Sequence, residues 1–208
     1  MAKPDITRRD ALTTMGLAVG WSLALGTEGL AQQRVDPDFL RMWEAAQAGR
    51  PARLASSGRI APEDEPGTPL IVRGRLFDKT GATPVRGATI FAYQTDRTGV
   101  YHPPGATLWR LKGRARTDER GAFELRTIRP GAYPGRQIAA HIHVGVDGPP
   151  GQRQTLLDVL FEGDPRLSAR ERERSAREGR FANIRPVETT NGVESLSILF
   201  RLSGDFVF

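Results

Sequence analysis

One kind of turn recurs along this 208-residue chain and limits what it can build. Asp78-Lys-Thr-Gly81, Asp96-Arg-Thr-Gly99 and Asp118-Glu-Arg-Gly121 each place Asp first and Gly fourth. That is type I turn chemistry, and the Gly is free to take the left-handed conformation that closes a hairpin. Around the turns, polarity alternates with period two. Leu70, Val72 and Leu76 alternate with Arg73 and Arg75; Phe123, Leu125 and Thr127 with Glu124 and Arg126; Leu196, Ile198, Phe200 and Leu202 with Ser195, Ser197 and Arg201. This pattern reads as strands with one buried face. Short strands between tight turns predict an all-β fold, a β-sandwich of mostly antiparallel strands. The 23 Gly and 15 Pro suit a turn-rich chain, and the absence of Cys excludes a disulfide scaffold, a thiol nucleophile, a Cys-bound zinc and an iron–sulfur cluster.

The first 31 residues have the layout of an export signal. Arg8-Arg9 precedes an apolar stretch from Met15 to Leu25, which is too short to span a bilayer. Gly29 and Ala31 follow at −3 and −1 positions for cleavage. The paired arginines resemble the twin-arginine (Tat) class, so the expected partner during export is the Tat translocon. The expected location is periplasmic or secreted, without stable membrane insertion once the signal is removed. Residues 32–66 read as a short helix and a linker: Asp36 caps, Pro37 takes the first position, and Phe39, Leu40, Trp43 and Ala46 share one face up to Gly49. Residues 67–208 form the predicted sandwich. The segment 168–180, SARERERSAREGR, interrupts the strand pattern as a solvated helix or a charged excursion. The net charge of +6 comes from scattered arginines, and only 7% of the chain is aromatic, so no nucleic-acid groove is expected. The oligomeric state is left open.

The chain has three histidines, and two of them stand two apart. From Ile138 to Val146 the even positions are Ile, Ala, Ile, Val and Val, a core face, whereas the odd positions carry His141 and His143. Side chains at i and i+2 of a strand point the same way, so the imidazoles are neighbours on the face away from the core. Two surface histidines on a wet face, or two ligands of one metal, both satisfy this pattern. The tyrosines favour the metal. Tyr101 follows the Asp96–Gly99 turn, and Tyr133 sits between Pro130 and Pro134 in a loop that leads into the histidine strand. Phenolate is a hard anionic ligand that suits iron(III), and a nearby cation displaces its proton. Tyr93 reads as packing or a pocket wall, Trp109 as a loop anchor, and His102 as pointing away from Tyr101.

Five motifs occur in order: Gly99-Val-Tyr101; Arg114-Ala-Arg-Thr-Asp118 with Gly121-Ala-Phe123; Thr127-Ile-Arg-Pro130-Gly131-Ala-Tyr133-Pro134; Ala140-His141-Ile-His143; and Phe161-Glu-Gly163-Asp164-Pro165. Over roughly 70–165 this set resembles the intradiol ring-cleavage dioxygenases, the family of protocatechuate 3,4-dioxygenase and catechol 1,2-dioxygenase, and in particular their compact exported members. The resemblance implies Fe(III) bound by Tyr101, Tyr133, His141 and His143, with Tyr133 and His143 axial. It implies a catechol-type substrate and dioxygen as partners. Tyr133 would leave the metal to help take substrate protons, and the ring would open through a cyclic anhydride to a muconate. Two positions depart from the family pattern. Ile138 stands where most members carry an arginine, and Arg136, two residues earlier, is the candidate catalytic substitute. Leu157-Asp158 stands where most members have Thr-Gln, which places Asp158 either near the substrate or at the sheet surface. A non-catalytic, transthyretin-like binding module is the alternative reading of the same scaffold.

Overall fold

The computed structural model describes residues 53–106, 108–147 and 153–204, together with Met42, Ala45 and Pro51. The expected signal at 1–31 lies outside the described residues. So does most of the helix expected after Asp36, of which Met42 and Ala45 are described and helical.

Among the described residues two sheets face each other. The first orders its strands β1 (Ser57–Arg59), β5 (Ala122–Ile128), β2 (Pro69–Phe77), β11 (Val193–Arg201) and β10 (Glu188–Thr190). The second orders β4 (Leu111–Arg116), β3 (Thr89–Gln94), β6 (His141–Asp147), β8 (Val159–Phe161) and β9 (Ile184–Arg185), with β7 (Arg153–Thr155) also paired to β6. Antiparallel pairs predominate; β1–β5, β2–β11 and β8–β9 are parallel. The all-β sandwich expected from the alternation is therefore the fold observed. The inward residues are the alternating ones. Leu70, Val72, Leu76, Leu125, Leu196 and Ile198 from the first sheet meet Ile90, Ala92, Ile142, Val144 and Val146 from the second in one buried cluster. Each large apolar side chain so buried contributes about 1.5–3 kcal/mol relative to exposure.

All three Asp-x-x-Gly turns form. The Gly81, Gly99 and Gly121 amides donate to the Asp78, Asp96 and Asp118 carbonyls at 3.0, 3.1 and 3.0 Å, and each glycine has φ between +71° and +85°. At Asp78 the turn closes a short antiparallel reversal, with Phe77 bridged to Pro84 and the Val85 amide donating to the Leu76 carbonyl at 3.0 Å, but none of the three turns joins two paired strands directly. The turns at Asp78 and Asp118 carry the chain from one sheet to the other, because β2 and β3, like β4 and β5, lie in opposite sheets. Only the turn at Asp96 lies between paired neighbours, β3 and β4, and it opens a long loop rather than a hairpin. A type I turn reverses the chain, but strand pairing decides which sheet receives it.

The charged segment holds a solvated helix, α1 (Ala169–Arg177). Ser168 caps it: the Glu171 amide donates to Ser168 Oγ at 3.2 Å, and the Ser168 amide donates back to Glu171 Oε2 at 2.8 Å. This reciprocal box satisfies two amides that the first turn leaves without helical partners. Ser175 is the buried residue of α1, and its Oγ accepts from the Asn183 and Ile184 amides at 3.1 and 3.0 Å, tying the helix to β9.

Candidate metal centre

Strand β6 presents its two histidines on the outer face of the second sheet, because Ile142 and Val144 occupy the core side. Tyr93 of β3 is the cross-strand partner of His143. Its ring stacks on the imidazole at 4.5 Å between centroids, and Trp109 stacks on the far side of Tyr93 at 3.8 Å. Trp109 is buried beside Phe91, so Tyr93 packs beside His143 on the same face, the packing role expected of it, and Trp109 anchors the loop that carries it.

The two tyrosines arrive on loops. Tyr101 lies between β3 and β4, and its carbonyl accepts from the Arg110 amide at 3.0 Å, which pins the base of the loop. Tyr133 lies between β5 and β6. The loops dock on each other through two glycines. A Cβ on Gly99 would collide with the Ala132 carbonyl, and one on Gly131 with the Arg97 carbonyl. The Gly131 amide donates to the Asp96 carbonyl at 2.8 Å, and Thr95 Oγ1 donates to the Gly131 carbonyl at 2.7 Å. Beneath them Gln94, fully buried, donates to the Ile128 carbonyl and accepts from Thr127 Oγ1, both at 2.9 Å.

The loops bring both phenol oxygens to the imidazoles. Tyr101 Oη lies 2.8 Å from His143 Nε2, Tyr133 Oη lies 3.1 Å from His141 Nε2, and the two Nε2 atoms are 3.0 Å apart. The two phenol oxygens are themselves in hydrogen-bond contact. Four donor atoms thus meet around one point. His102 is not among them; its Nδ1 faces the Pro103 carbonyl. Arg136 is exposed and its amide donates to the Tyr133 carbonyl at 3.2 Å, while Ile138 is half-buried.

Proton bookkeeping tests whether this cluster fits a metal ion. His141 Nδ1 faces the Ala139 carbonyl oxygen at 2.7 Å, and His143 Nδ1 faces Asp158 Oδ1 at 2.9 Å. Both partners are acceptors, so both Nδ1 atoms carry a proton, and the Nε2 of a ring so protonated is the atom left to bind a cation through its lone pair. Two lone pairs 3.0 Å apart repel unless positive charge lies between them. Ligands about 2 Å from one ion and at right angles to each other are separated by about 3 Å. The donor set and its spacing fit a metal ion.

The electrostatics agree. Burial, and then the like charge of His143, push the His141 pKa down, which keeps that ring neutral and ligand-competent. Burial pushes the Tyr101 phenol far above its ordinary value, with Tyr133 adding to the effect. Burial also raises Tyr133, against which the hydrogen bond shared with Tyr101 and the charge of Arg136 act. Neither phenol would ionise here without a cation to displace its proton. Asp158 takes a third role, behind a ligand. Although burial alone would raise its pKa, the charge and hydrogen bond of His143 hold it below the usual carboxylate value. His141, His143 and Asp158 also offer ligand atoms within 4.8 Å of one another, but Asp158 meets His143 at Nδ1, the edge of the ring away from the convergence point.

Comparison with known proteins decides the family. The family model Dioxygenase_C, described as dioxygenase, matches residues 37–204. Protocatechuate 3,4-dioxygenase beta chain from Burkholderia cepacia is 32% identical over 114 residues, 49% of this chain and 48% of that protein. This chain belongs to the intradiol dioxygenase family. Another family member, catechol 1,2-dioxygenase 2 from Acinetobacter lwoffii, is 29% identical over 140 residues, 58% of this chain and 49% of that one. The chain spans about half the length of both intradiol relatives. Among solved structures, the dioxygenase domain of a dioxygenase carbohydrate-binding protein fusion from Streptomyces sp. SirexAA-E superposes with a TM-score of 0.53 at 28% identity, over 76% of this chain and 95% of that one. Catechol 1,2-dioxygenase from Pseudomonas arvilla C-1 shares the intradiol fold, with a TM-score of 0.53 at 20% identity over 79% of this chain and 67% of that one.

Proposed function

We propose that this intradiol family member is a non-haem iron(III) dioxygenase that cleaves a catechol-type ring between its two hydroxylated carbons. The observation that carries the reading is the meeting of two phenol oxygens and two imidazole lone pairs around one point. A non-catalytic binding module gives no reason for these four donors to converge, and the dioxygenase relatives do not favour it. In the overall reaction the carbon–carbon bond between the two hydroxylated carbons breaks and both atoms of one dioxygen molecule enter the product. Catechol thus becomes muconic acid, with no other atom gained or lost.

Tyr101, Tyr133, His141 and His143 would hold the iron, which would supply Lewis-acid activation of the bound catechol and a route for its electrons toward dioxygen. The chain's own work is to orient and to move protons. The histidines, fixed on β6, set the direction of approach. Tyr133 Oη, on the loop beside Arg136, would accept a substrate proton as catechol binds. Tyr101 is pinned at both its loop ends and serves as the fixed phenol. Arg136 would stabilise negative charge at Tyr133 and on the substrate. The Tyr93–Trp109 stack keeps water from the back of His143.

The visible spectrum of the iron-loaded protein, before and after anaerobic catechol, tests this reading. A broad tyrosinate-to-iron(III) band that moves to longer wavelength with catechol, followed by muconate on admitting oxygen, is the expected result. A colourless protein that retains no iron and ignores catechol would overturn it. We also propose that residues 1–31 direct twin-arginine export to the periplasm or beyond. With Arg8→Lys and Arg9→Lys together, the protein should remain in the cytoplasmic fraction.

A further inference from the structure

The two imidazoles are alike in sequence and unlike in their surroundings. His141 gives its Nδ1 proton to a neutral acceptor, the Ala139 carbonyl at 2.7 Å. His143 gives its own to a carboxylate, Asp158 Oδ1 at 2.9 Å. Asp158 is held for this task from several sides. The β6–β8 register pairs His141 with Leu160 and Ile142 with Val159, so the next step sets Asp158 across from His143. Its backbone carbonyl accepts from Asn183 Nδ2 at 2.7 Å, and Asn183 is buried. The Asn183 amide in turn donates to Ser175 Oγ at 3.1 Å, so α1 braces the residue that braces Asp158. Tyr93 closes the remaining side by stacking on the His143 ring.

We propose that Asp158 is a positioning residue, which fixes His143 as the Nδ1–H tautomer and makes it the stronger electron donor of the two imidazoles. This rests on the metal reading above for its second half only. A hydrogen bond to an ionised acceptor is shorter and roughly twice as strong as one between neutral groups, and it polarises the ring toward imidazolate. The more anionic ring gives more charge through Nε2, and outer partners of this kind typically control metal affinity by about 10–100-fold. Asp158 would therefore lower the reduction potential of bound iron and favour the ferric state. His141, bound only to a carbonyl, gives no such bias.

The experiment has one arm without metal and one with it. In the metal-free full-length protein, long-range proton–nitrogen NMR of the imidazoles should show His143 as Nδ1–H. Asp158→Asn should keep that tautomer, since its amide oxygen still accepts. Asp158→Leu, close in shape and unable to accept, should release a mixture of tautomers at His143 while His141 stays unchanged. In the iron-loaded protein, Asp158→Leu should weaken iron retention about 10–100-fold. Asp158→Asn should retain iron, raise its reduction potential and shift the tyrosinate band to longer wavelength. A His143 tautomer indifferent to Asp158→Leu overturns the positioning role. An unchanged potential and band in Asp158→Asn overturns the electronic role. If the native chain binds no iron while the tautomer responds as stated, the metal reading fails and the positioning role stands.

Discussion

The histidine half and the tyrosine half of the candidate centre are built by different means. His141 and His143 ride on β6, where period-two alternation and sheet hydrogen bonds fix their direction whatever the loops do. Tyr101 and Tyr133 ride on loops whose shape depends on each other, through Gly99 against Ala132 and Gly131 against Arg97. A direction set by strand geometry survives the loss of one side chain. A direction set by two loops fitted together does not survive a methyl group in the joint.

Substitutions should separate the halves. His143→Ala should give the largest functional effect: iron is lost and ring cleavage is abolished, while the fold stays intact by circular dichroism, because the histidine face lies outside the core. Removing iron with a chelator should lower the melting temperature of the native protein and leave that of His143→Ala unmoved, since a ligand that binds only the folded state stabilises it by mass action. Gly99→Ala should act the other way round. With φ at +85° and the Ala132 carbonyl in the path of a Cβ, it should cost about 2–3 kcal/mol in denaturant unfolding and dim the tyrosinate band along with it. If Gly99→Ala unfolds normally and keeps its colour, the loops are not coupled as described.

A smaller effect should come from Asp96. Its Oδ1 accepts from Thr98 Oγ1 at 2.6 Å, the Thr98 amide at 2.8 Å and the Val100 amide at 3.1 Å, shaping the turn before Tyr101. Burial alone raises its pKa, but these bonds outweigh burial and hold it below the ordinary value. A depressed folded-state pKa adds stability that is present above the unfolded value, near pH 4, and is lost as pH falls through the folded value. Asp96→Asn should therefore cost about 1 kcal/mol at neutral pH and progressively less below about pH 4. Equal losses at pH 3 and pH 7 would show that the carboxylate charge is not what holds the turn.

The sequence carried one half of this centre better than the other. Alternation in β2, β5, β6 and β11 is a local signal, so the sandwich and the shared face of His141 and His143 were legible. The convergence of the tyrosines came only through motif resemblance, because no local pattern says that Gly99 will meet the Ala132 backbone. Asp158 was ambiguous between substrate and surface, since its meeting with His143 depends on the β6–β8 register, which the intervening segment conceals. The helix in the charged segment did leave a signal: Ser168 and Glu171 are the capping box. The turns showed that the chain reverses, but not that two of them change sheets, which is a property of strand pairing.

The bond from the Arg110 amide to the Tyr101 carbonyl closes the neck of the 102–109 segment. Beyond that neck the chain is anchored again by buried Trp109, and between them Pro103 to Ala106 are exposed turn and coil. Because the neck is closed by backbone, insertion or deletion in that exposed stretch should leave the Tyr101 phenol where it is. A lineage, or an engineer, could vary the length and surface of that segment while inheriting the same four donors.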